Sequence, residues 1–280
     1  MRVLACDGIH EDGLDLFRKA GWTVETSDPI KDPKALAEKL AGFDAVLVRS
    51  ATPVPGEALA KAGQLKVIGR AGAGVDTIDV EAATARGIAV MNAPDGNTLA
   101  AAEHAISLLF ALARHVPRAD AGMKAGEWPK AGLTGFELEG KKLGVIGLGR
   151  IGATVARKAQ GIGMEVAAHD PFLPASAAGK GSVPLMALDD LLAWADVVTL
   201  HIPRTKDTTN LLDETRLRLL KPGAFVINAA RGGLLDEQAL LRLLEEGHLA
   251  GAALDTFATE PLPKDSALRN HPRLVLTPHL

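Results

Sequence analysis

Cysteine is nearly absent from this chain, since Cys6 is the only one among 280 residues. A single thiol can form neither an intrachain disulfide nor a cysteine-rich zinc site, so we assign no metal and expect a reducing compartment, the cytoplasm. Acidic side chains follow the first short apolar run, which is not the pattern of a secretory signal, and we expect none.

The chain also has no excess of basic residues. Lysine and arginine total 31 against 34 acidic residues, a net charge of −3, which excludes a broadly basic nucleic-acid binder. The longest nearly uncharged apolar run, Ala105–Ala113, is far shorter than the roughly 20 residues of a membrane span. We therefore expect neither nucleic acid nor a membrane as a partner, and a small-molecule substrate becomes the main alternative.

What the chain does contain is a regular alternation of short aliphatic runs and helix-like stretches. The runs are apolar almost throughout, as in parallel strands that are buried on both faces. The alternation predicts a doubly wound α/β architecture. The predicted strands are Val3–Cys6, Ala45–Val48, Lys66–Gly69, Ile88–Met91, Leu143–Gly147, Glu165–His169, Asp196–Leu200, Ala224–Asn228, Ala250–Leu254 and Leu274–Thr277, and the predicted helices include Pro33–Ala41, Asp79–Arg86, Ile151–Gly161 and Asp236–Gly247.

A cluster of turn-forming residues interrupts this alternation at Met91–Asn97. It indicates a hinge between two domains, although an ordinary loop in one large domain remains the alternative. An Ala- and Leu-rich segment follows and predicts one long helix, Thr98–Met123. This helix is apolar on more than one face, so we expect it to be buried, either between domains or between subunits.

The strongest motif is a strand that runs into Gly-x-Gly-x-x-Gly and then into a helix, at Leu143–Gly152. Gly147 suits the tight turn, Gly149 lets the backbone approach a pyrophosphate, and Gly152 permits close helix–strand packing. The N–H groups of the helix start would face the phosphates. The motif predicts a dinucleotide site, with glycines that serve packing alone as the alternative.

An acid ends the next predicted strand, as this kind of site requires. Asp170 lies about 20 residues beyond the first glycine, where a carboxylate binds the adenosine ribose hydroxyls. A carboxylate there repels a 2′-phosphate, and Pro171–Leu173 supplies no arginine to hold one. NAD is therefore favoured over NADP, unless Asp170 only caps the following turn.

Three later segments each place polar residues just after an apolar strand: Asn228–Gly233, Asp255–Pro261 and Thr277–His279. Ligands of open α/β sheets bind at such strand ends. An arginine can bind a carboxylate and polarise a neighbouring carbonyl, while a histidine held by a carboxylate exchanges a hydroxyl proton. Arg231 and His279 thus suit hydride transfer to or from a 2-oxo acid. Taken singly, each could be a solvated loop residue.

With these motifs in this order, the chain resembles the D-isomer-specific 2-hydroxyacid dehydrogenases from about Val3 to its last residue. The resemblance implies a flavodoxin-like substrate-binding domain over residues 1–94 and a Rossmann nucleotide-binding domain over 95–280, with the active site in the cleft between them. The motifs that carry it are Val48–Thr52, Gly69–Asp76, Gly147–Gly152, Asn228–Gly233, Asp255–Pro261 and Thr277–His279.

The resemblance also implies roles for individual residues. Arg231 becomes the substrate-binding and catalytic arginine, Glu260 the partner of His279, and His279 the acid/base. Asp255 would receive the nicotinamide carboxamide. The implied cofactor-binding residues are Gly147, Gly149, Arg150, Ile151, Gly152, Asp170, Ala229, Ala230 and Asp255.

Substrate contacts are implied mainly in the first domain. Arg49 and Arg70 each follow a predicted strand, so they should project from its cleft edge, unless they are solvated strand-end charges. Where the family usually has threonine this chain has Ala73, so a hydroxyl contact is lost. The implied substrate-binding residues are Arg49, Ser50, Arg70, Gly74, Val75 and Asn97, with Lys130 contributed by a partner subunit.

The activity implied by the resemblance is NAD-dependent oxidation of D-3-phosphoglycerate to 3-phosphohydroxypyruvate, the first step of serine biosynthesis, in a homodimer. Two alternatives stay open. One is a dehydrogenase or reductase of another 2-hydroxy acid, such as glyoxylate, hydroxypyruvate or D-lactate. The other is a non-catalytic, NAD-sensing scaffold of the corepressor kind.

Some features lie outside this assignment. Relatives continue past the catalytic histidine with a glycine-containing turn and a helix that returns to the substrate domain. In this chain we expect the substrate domain to lack that helix and the hinge between the domains to be looser. We also expect no serine feedback through C-terminal regulatory domains. His104 and His115 receive no role, and His201 is expected to have a backbone or packing role.

Overall fold

A computed structural model describes residues 1–173 and 183–280 of the chain. It contains two compact units, Met1–Thr98 and Leu99–Leu280. This division falls a few residues after the boundary expected at 94/95. The substrate and nucleotide roles of the two regions remain predictions.

The first unit is built on a five-stranded, fully parallel sheet in the order β2-β1-β3-β4-β5. This is the strand order of flavodoxin-like doubly wound folds. Helices and sheet enclose a core that includes Leu4, Leu36 and Ile68. The elements are β1 Arg2–Cys6, α1 Glu11–Lys19, β2 Thr23–Ser27, α2 Pro33–Leu40, β3 Ala45–Val48, β4 Val67–Arg70, α3 Val80–Ala85 and β5 Ala89–Asn92.

The second unit contains a six-stranded parallel sheet in the order β11-β10-β9-β8-β6-β7. A bridge between Ala168 and Leu185 extends the sheet beyond β7. The elements are α4 Thr98–Arg114, α5 Val116–Lys124, β6 Lys142–Ile146, α6 Arg150–Gly161, β7 Glu165–His169, α7 Leu188–Trp194, β8 Val197–Leu200, α8 Glu214–Leu217, β9 Ala224–Asn228, α9 Glu237–Glu245, β10 Leu249–Leu254 and β11 Leu274–Leu276.

The strand order of this second sheet creates a topological switch point between β6 and β8. From β6 the chain proceeds outward to β7, and then returns to place β8 on the other side of β6. The crevice at the carboxyl ends of such a pair is where α/β sheets bind ligands. The two parallel sheets confirm the predicted α/β class.

One strand escaped the sequence prediction. The strand β2 has the sequence Thr-Val-Glu-Thr-Ser, lies at the sheet edge, and has no fully buried residue. An edge strand with one solvated side needs no continuous apolar run, so the pattern used for the other strands does not detect it.

The prediction of a single helix over Thr98–Met123 was wrong. His115 has a φ of 53°, in the left-handed region, and separates α4 from α5, which are bent by 67° relative to each other. Pro117 lies in the first turn of α5, where its missing N–H is tolerated, whereas inside a continuous helix it would break a hydrogen bond.

The buried face of α4 packs within its own unit. Ala105, Leu108 and Leu112 share a core with Val145 of β6 and Val155 of α6. This face of α4 is therefore covered by the unit's own sheet and α6, and burial of the rest of the helix between domains or subunits stays a prediction. In the described part of the chain no single helix is long and apolar enough to cross a membrane; α4 and α5 pass that test only as a bent pair, by length and composition.

Candidate active site

Polar residues collect at the carboxyl edge of the second sheet. Gly147 follows β6, Asp170 follows β7, Asn228 ends β9, Asp255 follows β10, and Thr277 follows β11. Parallel strands bring these positions to one edge, on both sides of the switch point. The motifs that are far apart in the sequence are thereby gathered in one place.

The three motif glycines differ in what requires them. Gly147 has a φ of +92°, and a Cβ there would lie 2.6 Å from the carbonyl oxygen of His201. A Cβ on Gly152 would overlap the carbonyl oxygen of Gly147. A Cβ on Gly149 would meet no described heavy atom within 4 Å. Chain packing thus demands two of the glycines, while the third fits a backbone that a pyrophosphate approaches closely.

The helix behind this turn offers donors to that phosphate. The N-cap of α6 is Gly149, which makes no side-chain cap, so no side chain covers the first N–H groups through the cap position. Arg150 and Ile151, two of the predicted cofactor residues, form the first turn of α6. The arrangement fits binding of a dinucleotide phosphate at a helix start.

Asp170 is tied to the same turn. Its Oδ2 accepts a hydrogen bond from the backbone N–H of Leu148 at 2.9 Å, and its Oδ1 accepts one from Phe172 at 3.0 Å. Each carboxylate oxygen has a further lone pair with which it can accept a ribose hydroxyl. The structure therefore brings the predicted ribose ligand and the glycine turn together.

The turn that carries Arg231 is held by a buried amide. Asn228 is 1% exposed; its Nδ2 donates to the carbonyl of Arg231 at 2.8 Å, and its Oδ1 accepts from the N–H of Ala230 at 3.1 Å. The Nη1 of Arg231 donates to the carbonyl of Ala230 at 2.6 Å. Sequence reasoning assigned no role to Asn228, and only its place at a strand end hinted at one.

A neighbouring turn packs directly against this one. A Cβ on Gly232 would overlap the carbonyl oxygen of Phe257, so the backbones of the two turns touch. The N–H of Phe257 in turn donates to Oε1 of Glu260 at 2.9 Å. Glycine at position 232 thus lets the arginine turn meet the loop that carries Glu260.

Glu260 and His279 form the pair that was predicted for proton exchange. The Nδ1 of His279 lies 2.8 Å from Oε2 of Glu260, and the two side chains are 40% and 36% exposed. Because a carboxylate only accepts, Nδ1 carries the hydrogen, and Nε2 is the ring nitrogen left to meet a substrate. His279 has a φ of 58°, and its N–H donates to the carbonyl of Asp255 at 2.8 Å, which fixes the segment.

Asp255 is the most deeply buried of the predicted site carboxylates, at 2% exposure. Its Oδ1 accepts from the Thr277 hydroxyl at 2.6 Å and from the N–H of Leu280 at 3.1 Å. His104 adds an Nε2 contact to the same oxygen at 3.2 Å. Among the described residues no donor is bound to Oδ2, which therefore suits an amide donor such as a carboxamide.

Glu237, at the start of α9, is a second residue that sequence reasoning missed. Its Oε1 accepts from the N–H of Ala258 at 2.7 Å, so it helps to hold the loop before Glu260. Burial raises the pKa of Glu237, and the charges of Asp236 and Glu260 raise it further. Its only sequence signal was the acidic start of a helix, which is equally typical of ordinary helix starts.

His201 behaves as expected. Its N–H donates to the carbonyl of Ile146 at 2.8 Å, and its Nε2 lies 2.9 Å from the hydroxyl of Thr199. Burial lowers the pKa of His201 to about 4, so the ring stays neutral near pH 7. It supports the switch point rather than exchanging protons.

The predicted substrate residues of the first unit follow three adjacent strands. Val48, Arg70 and Asn92 are in register at the ends of β3, β4 and β5, and the loops after them carry the remaining residues. Ser50 and Asn97 are exposed, and Gly74 and Val75 lie in the loop after Arg70. These assignments stay predictions, as does Lys130, which lies exposed in the loop after α5.

Asp7 organises the loop that contains Arg49. Its Oδ2 accepts from the N–H groups of Arg49 at 2.7 Å and Thr52 at 3.0 Å, and its Oδ1 accepts from the Thr52 hydroxyl. Asp7 itself has a φ of 66°, a conformation that aspartate tolerates better than most residues. Nothing in the sequence near Asp7 pointed to this contact, which spans more than 40 residues.

Comparison with known proteins follows this geometry. The profile "D-isomer specific 2-hydroxyacid dehydrogenase, NAD binding domain" matches residues 106–280, more than half of the chain. The chain belongs to the D-isomer-specific 2-hydroxyacid dehydrogenase family, and its cofactor is NAD. No group of three or more His, Cys, Asp or Glu in the described residues could hold a metal ion.

Individual relatives narrow the resemblance. The chain is 45% identical over 280 residues to a D-3-phosphoglycerate dehydrogenase of Archaeoglobus fulgidus and 44% identical over 279 residues to one of Bacillus subtilis. All of this chain is covered, but only 53% and 52% of those proteins, so it spans about half their length. The crystal structure of the TT0316 protein from Thermus thermophilus superposes with a TM-score of 0.89, at 39% identity, covering 100% of this chain and 89% of that one.

Proposed function

We propose that the protein oxidises D-3-phosphoglycerate to 3-phosphohydroxypyruvate with NAD. The observation that carries the proposal is the Glu260–His279 pair at 2.8 Å, which lies at the same sheet edge as Asp255 and the glycine turn. Two relatives are named D-3-phosphoglycerate dehydrogenase, and this chain matches about half of their length. Their names support this choice of substrate. The oxidation would constitute the first step of serine biosynthesis.

The residues of the second unit divide the chemistry among them. Arg231 binds the substrate carboxylate beside the reacting carbon. His279 accepts the proton of the 2-hydroxyl at Nε2, while Glu260 keeps the ring oriented through Nδ1. NAD, when bound, accepts the hydride from C2. The C–H pair of electrons leaves with the hydride, the O–H proton goes to His279, and a carbonyl remains.

A preference for NAD over NADP belongs to the same proposal. Asp170 is held against the glycine turn by Leu148, so its negative charge occupies the place where a 2′-phosphate would have to bind. Phe172, two residues later, is 93% exposed and brings no positive charge. Repulsion of the extra phosphate, without a compensating cation from this segment, supports NAD.

Recognition of the substrate phosphate is assigned to the first unit. Arg49 follows β3 and Arg70 ends the adjacent parallel strand β4, so both side chains start from one sheet edge. A chain with a net charge of −3 needs such a local cluster of basic residues to bind a substrate that carries both a carboxylate and a phosphate. Ser50, Asn97 and the backbone near Gly74 and Val75 would complete the contacts.

Pairing of two chains and a cytoplasmic location complete the proposal. Exposed apolar side chains occur along α4, α5 and the loop that follows, including Phe110, Met123 and Trp128. Such a surface supports a homodimer that pairs through this region, with Lys130 reaching the partner's site. The single cysteine supports the cytoplasm.

A substrate panel tests the proposed activity. The purified protein with NAD should form NADH from D-3-phosphoglycerate with a kcat/KM at least tenfold above that for D-lactate or D-glycerate. A preference for an unphosphorylated 2-hydroxy acid would instead identify another dehydrogenase of the same family. Binding of NADH without turnover of any panel member would support a non-catalytic, NAD-sensing scaffold and overturn the enzyme proposal.

A further inference from the structure

His104, in the second turn of α4, meets the nicotinamide end of the predicted site. Its Nε2 lies 3.2 Å from the hydroxyl of Thr277 and 3.2 Å from Oδ1 of Asp255. The side chain is four-fifths buried. Three residues from α4 and from the loops after β10 and β11 therefore meet around one carboxylate oxygen.

The direction of these hydrogen bonds follows from which atoms carry hydrogens. A carboxylate oxygen can only accept, and the hydroxyl of Thr277 spends its one hydrogen on Asp255 at 2.6 Å. A bare Nε2 would present a lone pair to two oxygen lone pairs. Nε2 of His104 therefore carries a hydrogen, which it donates to the hydroxyl oxygen of Thr277, while the Asp255 carboxylate lies at the same distance.

The consequence concerns the orientation of Asp255. Its Oδ1 accepts from the Thr277 hydroxyl and from the N–H of Leu280, and Nε2 of His104 lies 3.2 Å from the same oxygen, so the carboxylate plane is fixed. A buried polar group needs such partners to offset its desolvation. Fixing Oδ1 sets the direction of Oδ2, the oxygen that suits a carboxamide N–H.

We propose that His104 is a positioning residue for the nicotinamide ring, acting through Asp255. The inference rests on the proposed function only in assigning the carboxamide to Asp255. Thr277 lies two residues before His279 in the sequence, so its contact with His104 also steadies the segment that carries the acid/base. In this proposal His104 acts through its contacts with Asp255 and Thr277 and not by direct contact with the substrate or the ring.

Binding measurements separate this role from a general loss of structure. Dissociation constants of NADH and of ADP-ribose, which lacks the nicotinamide, are measured by calorimetry for the wild type and for His104→Leu, His104→Gln and Ser107→Ala. Glutamine can place an N–H near the position of Nε2, whereas leucine cannot. Ser107 is exposed on the same helix and bonds only to Glu103 in the described residues, so its variant is the matched control.

We expect His104→Leu to raise the Kd of NADH by at least about fivefold, because Asp255 is then less firmly oriented toward the carboxamide, and to leave the Kd of ADP-ribose within twofold. His104→Gln and Ser107→Ala should stay within twofold of the wild type for both ligands. Reduced 3-acetylpyridine adenine dinucleotide has no amide N–H, so His104→Leu should weaken its binding far less than that of NADH.

Unchanged NADH affinity in His104→Leu would overturn the inference. Equal losses for NADH and ADP-ribose, or a His104→Gln variant as impaired as His104→Leu, would do the same by indicating a merely structural role. Should the leucine variant fail to fold, His104→Asn, whose amide is too short to reach, takes its place in the comparison. None of these readouts requires turnover, so a failure of the proposed substrate leaves the test intact.

Discussion

Single residues carry the proposed proton transfer. The left-handed φ of 58° at His279 disfavours most side chains, but asparagine tolerates it, so His279→Asn removes the imidazole without straining the backbone. We predict that kcat falls by about 10²–10⁴-fold while the Kd of NADH stays within threefold. Steady-state turnover and calorimetry measure the two quantities. A variant that keeps more than a tenth of wild-type kcat would remove His279 from the mechanism.

His201 gives a prediction for the pH dependence of stability. Burial lowers its pKa from 6.5 to about 4, so the folded state contributes stability through this group above pH 6.5 and loses it as the pH falls toward 4. In this window the unfolded chain binds a proton that the folded chain does not, which is worth up to about 1.4 kcal/mol per pH unit. As the pH is lowered from 7 to 4.5, the free energy of unfolding measured by urea titration should therefore fall less steeply for His201→Gln than for the wild type. Identical slopes would contradict the buried, neutral ring.

Two buried threonines allow a matched comparison. Thr256 and Thr199 are each 1% exposed, but the hydroxyl of Thr256 has no hydrogen-bond partner in the described residues, whereas that of Thr199 bonds to His201. Valine has the same shape without the hydroxyl, so Thr256→Val should raise the free energy of unfolding by about 1 kcal/mol. Thr199→Val should lower it by about the same amount. Denaturant unfolding at pH 7 measures both, and destabilisation by Thr256→Val would show that its hydroxyl is satisfied.

The sequence predicted candidate site residues within motifs and gave no role to residues that act through distant contacts. The positions Gly147, Arg231 and His279 stand in recognisable segments at strand ends. Glu237, Asp7 and His104 are ordinary in sequence, and their partners become evident only when the fold brings remote segments together. Asn228 belongs to a motif, but its bonds to the turn that carries Arg231 become evident only in the structure. Pairwise geometry of this kind leaves no periodicity or spacing to detect.

At the scale of elements, apolar runs predicted ten strands to within about one residue, because a strand buried on both faces requires such a run. The polar edge strand β2 offered no such signal. The break between α4 and α5 had a signal in Pro117, which the apolar character of the segment outweighed in the prediction. Periodicity thus shows where a helix is, and a proline shows where it ends.

The ribose end of the glycine turn gives a prediction for cofactor choice. Replacing Asp170 by asparagine removes the charge but keeps an acceptor for Leu148, and Phe172 is exposed enough for an arginine to replace it. We predict that the double variant Asp170→Asn/Phe172→Arg narrows the NAD-to-NADP ratio of kcat/KM by at least about tenfold. Phe172→Arg alone, which retains the repulsive carboxylate, is the control. Equal kcat/KM values for NAD and NADP in the unmodified protein would show that Asp170 does not lie at the ribose site.

For the whole molecule, the composition argues against some classes of partner rather than naming one. A net charge of −3 and a single cysteine disfavour nucleic-acid binding and disulfide scaffolds, and the two parallel sheets agree with a small-molecule enzyme. Membership of the D-isomer-specific 2-hydroxyacid dehydrogenase family supports the proposed hydride transfer between a 2-hydroxy acid and NAD. In the proposed function, Arg49, Arg70 and their neighbours select among 2-hydroxy acids, and this role stays a prediction until activity on different substrates is compared.

The central claim is that the C2 hydrogen of D-3-phosphoglycerate moves to NAD as a hydride while the hydroxyl proton goes to His279. Incubating the protein with NAD and D-3-phosphoglycerate deuterated at C2, and recording the proton NMR spectrum of the reduced cofactor, tests it most directly. We predict one deuterium per NADH formed, at C4 of the nicotinamide, in a reaction that His279→Asn slows by at least about a hundredfold. Reduced cofactor without deuterium at C4, or no reduction at all, would contradict the claim.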